Sequence, residues 1–251
     1  MKKFQFAVLA LAAVCMIACD KKKDEPKPQP QPDPEPEYVS PVTIDGSATE
    51  YSVLPNVFEC VRPAATEYMG LKAMKVYADK VYINIWAEFD TQVIDITENL
   101  GDDEFGGKPG VPFHVYFSKD ATNGYTGQWN TPCFVLAEGF LFEAGAPAEA
   151  YSPAAFQWSG EEPSGDWLWG EISTQLVDAS KITATTVEFR VMVENLPFKA
   201  EGQVFVGIDI QKAWDSVGIL PRVEDTEDPE TGAVVPGVAD MANVTINNIE
   251  F

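Results

Sequence analysis

Alternation of apolar and polar residues with a period of two is the feature that most limits how this chain can fold. It occurs in residues 81–89 (VYINIWAEF), 111–117 (VPFHVYF), 187–193 (VEFRVMV) and 204–210 (VFVGIDI). Successive side chains of a β-strand point to opposite faces, so alternation over seven or more residues predicts half-buried antiparallel strands. In the first stretch, Tyr82, Asn84 and Trp86 are expected on the outward-facing side.

An all-β fold follows from these strands and from the Gly/Pro-rich connections between them. The pattern predicts an antiparallel β-sandwich of jelly-roll or immunoglobulin-like type. One stretch, QLVDASKI (175–182), suggests a short turn of helix. Two long segments, 95–110 and 119–173, interrupt the strands, although PCFVLAEGFLFEA (132–144) should itself be a strand. Long loops on a rigid scaffold commonly carry function.

The N-terminus combines two lysines with an apolar run that ends at Cys19. The run has the length of a signal peptide and is too short for a membrane span. The sequence Met-Ile-Ala-Cys at 16–19 resembles the lipobox of bacterial lipoproteins. That resemblance implies cleavage after residue 18 and attachment of acyl chains such as palmitate to Cys19. An ordinary secretory signal and an uncleaved anchor are the alternatives.

Proline occupies every second position from 26 to 36, between the predicted signal peptide (1–18) and the domain (38–251). Because proline fixes φ, the linker (19–37) should be extended, spanning roughly 55 Å at about 3.1 Å per residue. Its charged start, DKKKDE (20–25), resembles the export tags of Bacteroidetes surface lipoproteins. The resemblance implies an outer-membrane protein displayed at the cell surface, with the periplasmic face as the alternative.

The formal net charge of −22 limits the possible partners. Nucleic-acid binding needs a positively charged surface and is therefore excluded, and electrostatic docking on anionic lipids is disfavoured. A polysaccharide or oligosaccharide without charge fits this balance, and so does a divalent cation.

Catalytic signatures are absent from the sequence. The chain has one histidine, His114, and no hydrolase or zinc-protease spacing surrounds it, so a structural or solvated role is expected. Cys60 and Cys133 either form a disulfide or are two buried thiols. A glycoside hydrolase needs only two carboxylates, but nothing marks a pair among 39 acidic residues. We therefore expect a protein that is not an enzyme.

Two acidic segments have the oxygen ligands that Ca²⁺ prefers, namely Asn99 with residues 102–104 (DDE) and residues 224–232 (EDTEDPETG). Neither has EF-hand spacing, and solvated acidic loops explain both. No metal ligand is assigned, and a structural Ca²⁺ elsewhere stays open.

The start of the domain is similar to family 9-like carbohydrate-binding modules. VTIDGSATEYSVLP (42–55) has their Ile-Asp-Gly turn, with Tyr51 where tryptophan is more usual. The hairpin LKAMKVYADKVYINIWAEFD (71–90) ends at an acid, Asp90, and FHVYFSKD (113–120) ends in an Asp-containing turn. The resemblance covers residues 42–120 and implies a β-sandwich that binds glycans.

Sugar rings stack their C–H faces on aromatic side chains, and their hydroxyls pair with planar polar groups. The candidate ligand-binding residues in this chain are Trp86, Trp129, Asn130, Trp158, Asp166 and Trp167, with Gln128 and Trp169 beside them. Tryptophan is mostly buried in proteins, so a core role is the alternative for each indole.

The sequence thus predicts a lipid-anchored envelope protein whose domain recognises a neutral glycan without catalysis. A structural or adhesion-type protein that binds another protein is the alternative, and a glycoside hydrolase ranks third.

Overall fold

Strands make up the architecture of the part of the chain that the computed structural model describes, namely residues 38–94, 110–122, 124–143, 146–159, 165–168, 175–212 and 215–248. The strands are β1 (Phe58–Val61), β2 (Leu71–Asp79), β3 (Tyr82–Phe89), β4 (Gly110–Ser118), β5 (Val135–Glu143), β6 (Ala146–Pro147), β7 (Ala154–Ser159), β8 (Asp166–Leu168), β9 (Val177–Ile182), β10 (Thr186–Met192), β11 (Gln203–Lys212), β12 (Asp215–Leu220), β13 (Thr226–Glu227), β14 (Val234–Val235) and β15 (Ala242–Asn247).

Several predicted features lie outside the described residues. They are the signal peptide, Cys19, the proline-rich linker, the acidic segment at 99–104 and Trp169. Within the described residues, no helix is long and apolar enough to cross a membrane.

The strands form two packed sheets, as the alternation predicts. The first sheet has the order β9-β10-β3-β2, and β1 shares the outer edge of β2 with the end of β15. The second has the order β8-β7-β5-β4-β11, and β12 shares the far edge of β11 with the start of β15. All of these pairings are antiparallel except the one between β15 and β2, so the expected antiparallel β-sandwich is confirmed.

Strand β15 closes one side of the sandwich by pairing with both sheets. Its first four residues pair antiparallel with Gln203–Val206 of β11. Its last two then pair parallel with Ala78 and Asp79 of β2, where the Asn247 amide donates a 2.8 Å hydrogen bond to the Ala78 carbonyl. A strand that changes sheets in this way forms a corner of the fold.

The inward-facing rows of the alternating strands form the main core. Ile83, Ile85 and Phe189 from the first sheet, and Phe113 and Val206 from the second, are fully buried there. These are the residues that the period-two pattern places on one face. The pattern therefore predicts correctly which side of each strand meets the other sheet.

Tyr151, on the connection between β6 and β7, adds a buried aromatic ring to this core. It packs edge-on against Phe113 at a centroid distance of 5.5 Å and is tilted against Phe189 at 5.0 Å. Its hydroxyl donates to the Phe113 carbonyl at 3.0 Å and lies 3.3 Å from the Ala137 carbonyl. One side chain thus joins β4, β5 and β10 by packing and hydrogen bonding.

Irregular segments cover much of both outer sheet faces, so the outward-facing rows of the strands are largely buried as well. On the first sheet, Val42 and Tyr51 from the N-terminal segment pack on Tyr77 and Trp86. On the second sheet, residues from connecting segments pack on Tyr116, Leu136 and Phe205. As a result Asn84, Trp86 and His114 are buried.

One segment prediction is wrong and another is extended by the structure. Residues 177–182 form β9 rather than a helical turn, because they pair with β10 and Asp178 accepts a 2.8 Å hydrogen bond from Arg190. The segment 119–173 contains β6, β7 and β8 in addition to the strand expected at 132–144, which is β5, so it contributes four strands to the second sheet.

The alternatives for the two domain cysteines resolve in favour of thiols. Cys60 is half-buried and Cys133 is buried, and the two are not bonded to each other. Burial raises the pKa of the Cys60 thiol to about 12, so this side chain is a poor nucleophile at neutral pH.

Two substitutions at Tyr151 should separate hydrogen bonding from packing. Tyr151→Phe removes the hydroxyl and should lower the free energy of unfolding by about 1 kcal/mol. Tyr151→Ala also removes the ring and should lower it by about 3–5 kcal/mol. The midpoint of urea unfolding at unchanged m-value measures both, and equal losses for the two variants would contradict this role for the ring.

Candidate ligand-binding site

An aromatic cluster forms where the β7–β8 hairpin meets the segment between β4 and β5, which we call the covering loop. Trp158 in β7 and Trp167 in β8 are cross-strand partners, with ring centroids 5.1 Å apart and an interplanar angle of 74°. Tyr125 from the covering loop contacts both indoles, at centroid distances of 5.2 and 5.5 Å. Edge-to-face pairs of this kind fix ring orientation. The two indoles therefore have a defined geometry.

Glycines at two positions permit this arrangement. A side chain at Gly165 would overlap the indole of Trp158, so only glycine lets the backbone cross that ring. Gly124 has φ of 135°, and a side chain there would overlap the Cys133 backbone. Tyr125 and Cys133 form the β-bridge that holds the covering loop, and their amides and carbonyls exchange 2.8 Å hydrogen bonds.

Solvent reaches the cluster on the β8 side. Trp158 is buried, whereas Trp167 is partly exposed and its neighbours Asp166 and Leu168 are exposed. The Asp166 carboxylate accepts a 2.8 Å hydrogen bond from the Trp167 amide, and the Asp166 carbonyl accepts one from the Ser159 hydroxyl. The accessible part of the cluster is therefore the Trp167 indole, since the side chains of Asp166 and Leu168 point to the opposite face of β8.

Trp129 is buried on the outer face of the second sheet, which favours the core role for this indole. Its indole lies against β11 at Gly207, where a Cβ would come within 2.6 Å of the ring. Its Nε1 donates a 3.0 Å hydrogen bond to the Pro221 carbonyl. The neighbouring Asn130 is exposed, and its amide N–H donates to the Ala239 carbonyl at 3.1 Å.

Trp86 is likewise buried, because the N-terminal segment packs over it. Its Nε1 donates a 3.1 Å hydrogen bond to the Gly46 carbonyl. Gly46 belongs to the Ile-Asp-Gly turn, and the Thr186 hydroxyl donates to the same carbonyl. The outward row of β3 thus serves to fasten the segment that covers it.

Glu188 of β10 also holds the Ile-Asp-Gly turn in place. Its fully buried carboxylate accepts hydrogen bonds from the amides of Asp45 and Gly46, at 2.9 and 2.7 Å. Burial raises the pKa of this carboxyl to about 7, although the two N–H donors act in the opposite direction. The turn that carries the resemblance to carbohydrate-binding modules therefore has a structural role here.

The single histidine lies in a buried polar row across the second sheet. Its Nε2 is 3.2 Å from a Glu138 carboxylate oxygen, and its Nδ1 is 3.8 Å from Asp209. These three residues are register partners on β5, β4 and β11. Gln128 and Ser216 also donate to Asp209, at 3.0 and 3.1 Å. Burial raises the pKa of Asp209, against the opposing effect of His114 and the donors.

The described residues contain no group of three His, Cys, Asp or Glu side chains placed to hold a metal ion. The acidic segment 224–232 contributes to the β13–β14 hairpin, where the Asp228 carboxylate accepts hydrogen bonds from the amides of Glu230 and Thr231. The Asp228 carboxylate therefore stabilises the turn of this hairpin.

Of the six predicted ligand-binding residues, the structure brings together Trp158, Asp166 and Trp167. It places Trp129 and Trp86 in separate clusters on different sheets. Sequence reasoning missed Tyr125, which supports both indoles of the site. Its role depends on the bridge to Cys133, and no periodicity in the sequence marks such an isolated pair.

Comparison with known proteins finds no protein-family model and no curated protein sequence that matches this chain.

The raised pKa of Glu188 predicts a specific pH dependence of stability. The folded state binds this proton more tightly than the unfolded state, whose glutamate titrates near 4.5. The contribution of Glu188 should therefore fall as pH rises from about 4.5 to 7, by about 1–3 kcal/mol. Glu188→Gln should remove that part of the slope in urea unfolding measured across this range.

Glu224→Gln is the matched control, because Glu224 is exposed. This variant should keep the wild-type slope. An unchanged slope in Glu188→Gln would show that the carboxyl does not titrate in this window.

Proposed function

We propose that this protein is a lipid-anchored envelope protein that binds a neutral glycan without catalysis, and that Trp167 is the contact surface for a sugar ring. In this proposal an acyl-modified Cys19 holds the chain at the outer membrane, facing the cell exterior. The proline-rich linker (19–37) then places the domain (38–251) away from the bilayer. Several acyl chains give stable anchoring without a spanning helix.

The observation that carries the glycan proposal is the combination of exposure and support at Trp167. Trp86, Trp129 and Trp158 are buried, whereas Trp167 is partly exposed and contacts two rings that fix its orientation. A side chain that is already ordered loses little conformational entropy when a ligand binds. An indole face held in this way suits the flat C–H face of a sugar.

The charge of the chain supports the choice of a neutral glycan. Asp166 and Leu168 are exposed next to Trp167 in the sequence, but their side chains point to the opposite face of β8, so the indole itself is the proposed contact surface. The net charge of −22 repels acidic polysaccharides. The similarity of residues 42–120 to family 9-like carbohydrate-binding modules points in the same direction.

Affinity electrophoresis against a panel of neutral polysaccharides tests the proposal. The wild-type chain should be retarded by at least one member, and Trp167→Ala should weaken that binding by about tenfold or more. Tyr82→Ala is the matched control. Tyr82 is also a partly exposed aromatic residue, but it lies on the first sheet, whereas Trp167 is on the second, and its ring stacks under Arg190.

Retardation by no polysaccharide would overturn the glycan proposal, and so would equal retardation of wild type and Trp167→Ala. Release of reducing sugar from any panel member by the wild-type chain would contradict the non-catalytic part.

The anchor is tested separately. Cys19→Ser should move the protein from the membrane fraction to the soluble fraction, because the acylation site is lost. Intact-mass measurement of the wild-type chain should show a processed N-terminus that begins at a diacylated or triacylated Cys19. An unmodified thiol at that position would contradict lipid anchoring, and protease treatment of whole cells would test surface display.

A further inference from the structure

A hairpin with exposed valines projects from the sandwich and takes no part in either main sheet. Strands β13 and β14 pair only with each other, Thr226 with Val235 and Glu227 with Val234. The exposed valines are Val223, Val234, Val235 and Val238, at 49%, 64%, 46% and 43% exposure. We call residues 222–238 the valine hairpin. Several exposed apolar side chains on one short segment make it a candidate interaction surface.

The base of the valine hairpin is held firmly to the sandwich. One Asp225 carboxylate oxygen accepts hydrogen bonds from Arg222 and from the Gly237 amide, both at 2.8 Å, and the other accepts from the Glu67 amide at 2.9 Å. The Arg222 guanidinium lies 4.0 Å from the ring centre of Tyr68. Although burial opposes it, these donors hold the pKa of Asp225 below its usual range. The hairpin is therefore presented in a defined orientation.

A groove of about 360 Å³ lies beside the base of the hairpin and is lined by residues of the hairpin and by residues 65–67. Its apolar lining includes Ala65 and Val234, and the carboxylate-bearing residues along it are Glu67, Asp225 and Glu227. Asp225 is engaged by Arg222 and by two amides, so Glu67 and Glu227 are the other two acidic residues that line the groove.

The charge of the surrounding segment has one sign. Residues 222–238 contain one basic residue, Arg222, and five acidic ones, namely Glu224, Asp225, Glu227, Asp228 and Glu230. A second copy of the chain would present the same acidic surface and a net charge of −22, so self-association here is opposed. Anionic lipid surfaces are repelled in the same way.

We propose that the valine hairpin is a docking surface for a positively charged segment of a partner protein. A lysine or arginine side chain of the partner fits the groove. Its aliphatic part packs on Val234 and Ala65, and its charge lies between Glu67 and Glu227. The exposed Val235 lies next to Val234 in β14 but on the opposite face, where a partner segment that passes over the edge of β14 would contact it. This surface is distinct from the Trp167 site and does not depend on glycan binding.

Site-specific photocrosslinking in isolated envelopes of the full-length, anchored protein tests the proposal. A photoreactive residue at Val235 should crosslink a protein through a lysine- or arginine-rich peptide identified by mass spectrometry. The same residue at Val53, which is 82% exposed in the N-terminal segment, is the position control. The yield should fall at about 0.5 M NaCl, where charges are screened within a few ångströms.

The double substitution Glu67→Gln/Glu227→Gln should lower the yield at least fivefold. Glu149→Gln/Glu194→Gln removes the same charge from two other exposed positions and should leave the yield unchanged. Trp167→Ala should also leave it unchanged, which separates this surface from the glycan site.

Four outcomes would overturn the proposal. They are a yield at Val235 no greater than at Val53, a crosslink to a second copy of the chain or to lipid, a crosslinked partner peptide without net positive charge, and equal effects of the two double substitutions.

Discussion

The described part of the structure depends on covering both faces of each of the two packed sheets. Facing the two inner rows together buries one side of each strand, but the outer rows of this protein also contain large aromatic and polar residues. Burying such groups is costly unless their donors and acceptors are paired. The irregular segments provide both the apolar cover and the hydrogen-bond partners, as the contacts of Trp86, Trp129 and Glu188 show. The covering segments are thus structural elements as much as the strands are.

This constraint also separates what the sequence predicts from what it does not. The alternation of Ile83, Ile85 and Phe189 is local, so the sandwich and its inner core follow from it. Whether the outer rows are buried depends on contacts between residues that are far apart in the sequence, such as those of Trp86 with residue 46 and of Trp129 with residue 221. Periodicity carries no information on those contacts. The residues 177–182 were ambiguous for a different reason, since a short edge strand with mixed polarity is stabilised by its neighbour and not by its own pattern.

The candidate site was partly predictable for the same physical reasons. Proximity of Trp158 and Trp167 follows once both are on one hairpin, and Asp166 then lies at its exposed edge. Tyr125 depends on a bridge formed by one glycine-supported loop. The proposed glycan surface and the valine hairpin therefore have different origins. One uses an aromatic ring supported by a sheet, and the other uses apolar side chains on a ribbon fastened by a carboxylate.

The corner strand β15 has a consequence for how the protein is made. It lies more than 150 residues after β2 and pairs with both sheets. These pairings can form only after residues 242–247 have been synthesised, so this corner of the sandwich closes late. Long-range closure of this kind is slow relative to local hairpin formation. Closure of this corner is therefore expected to be a late step in folding.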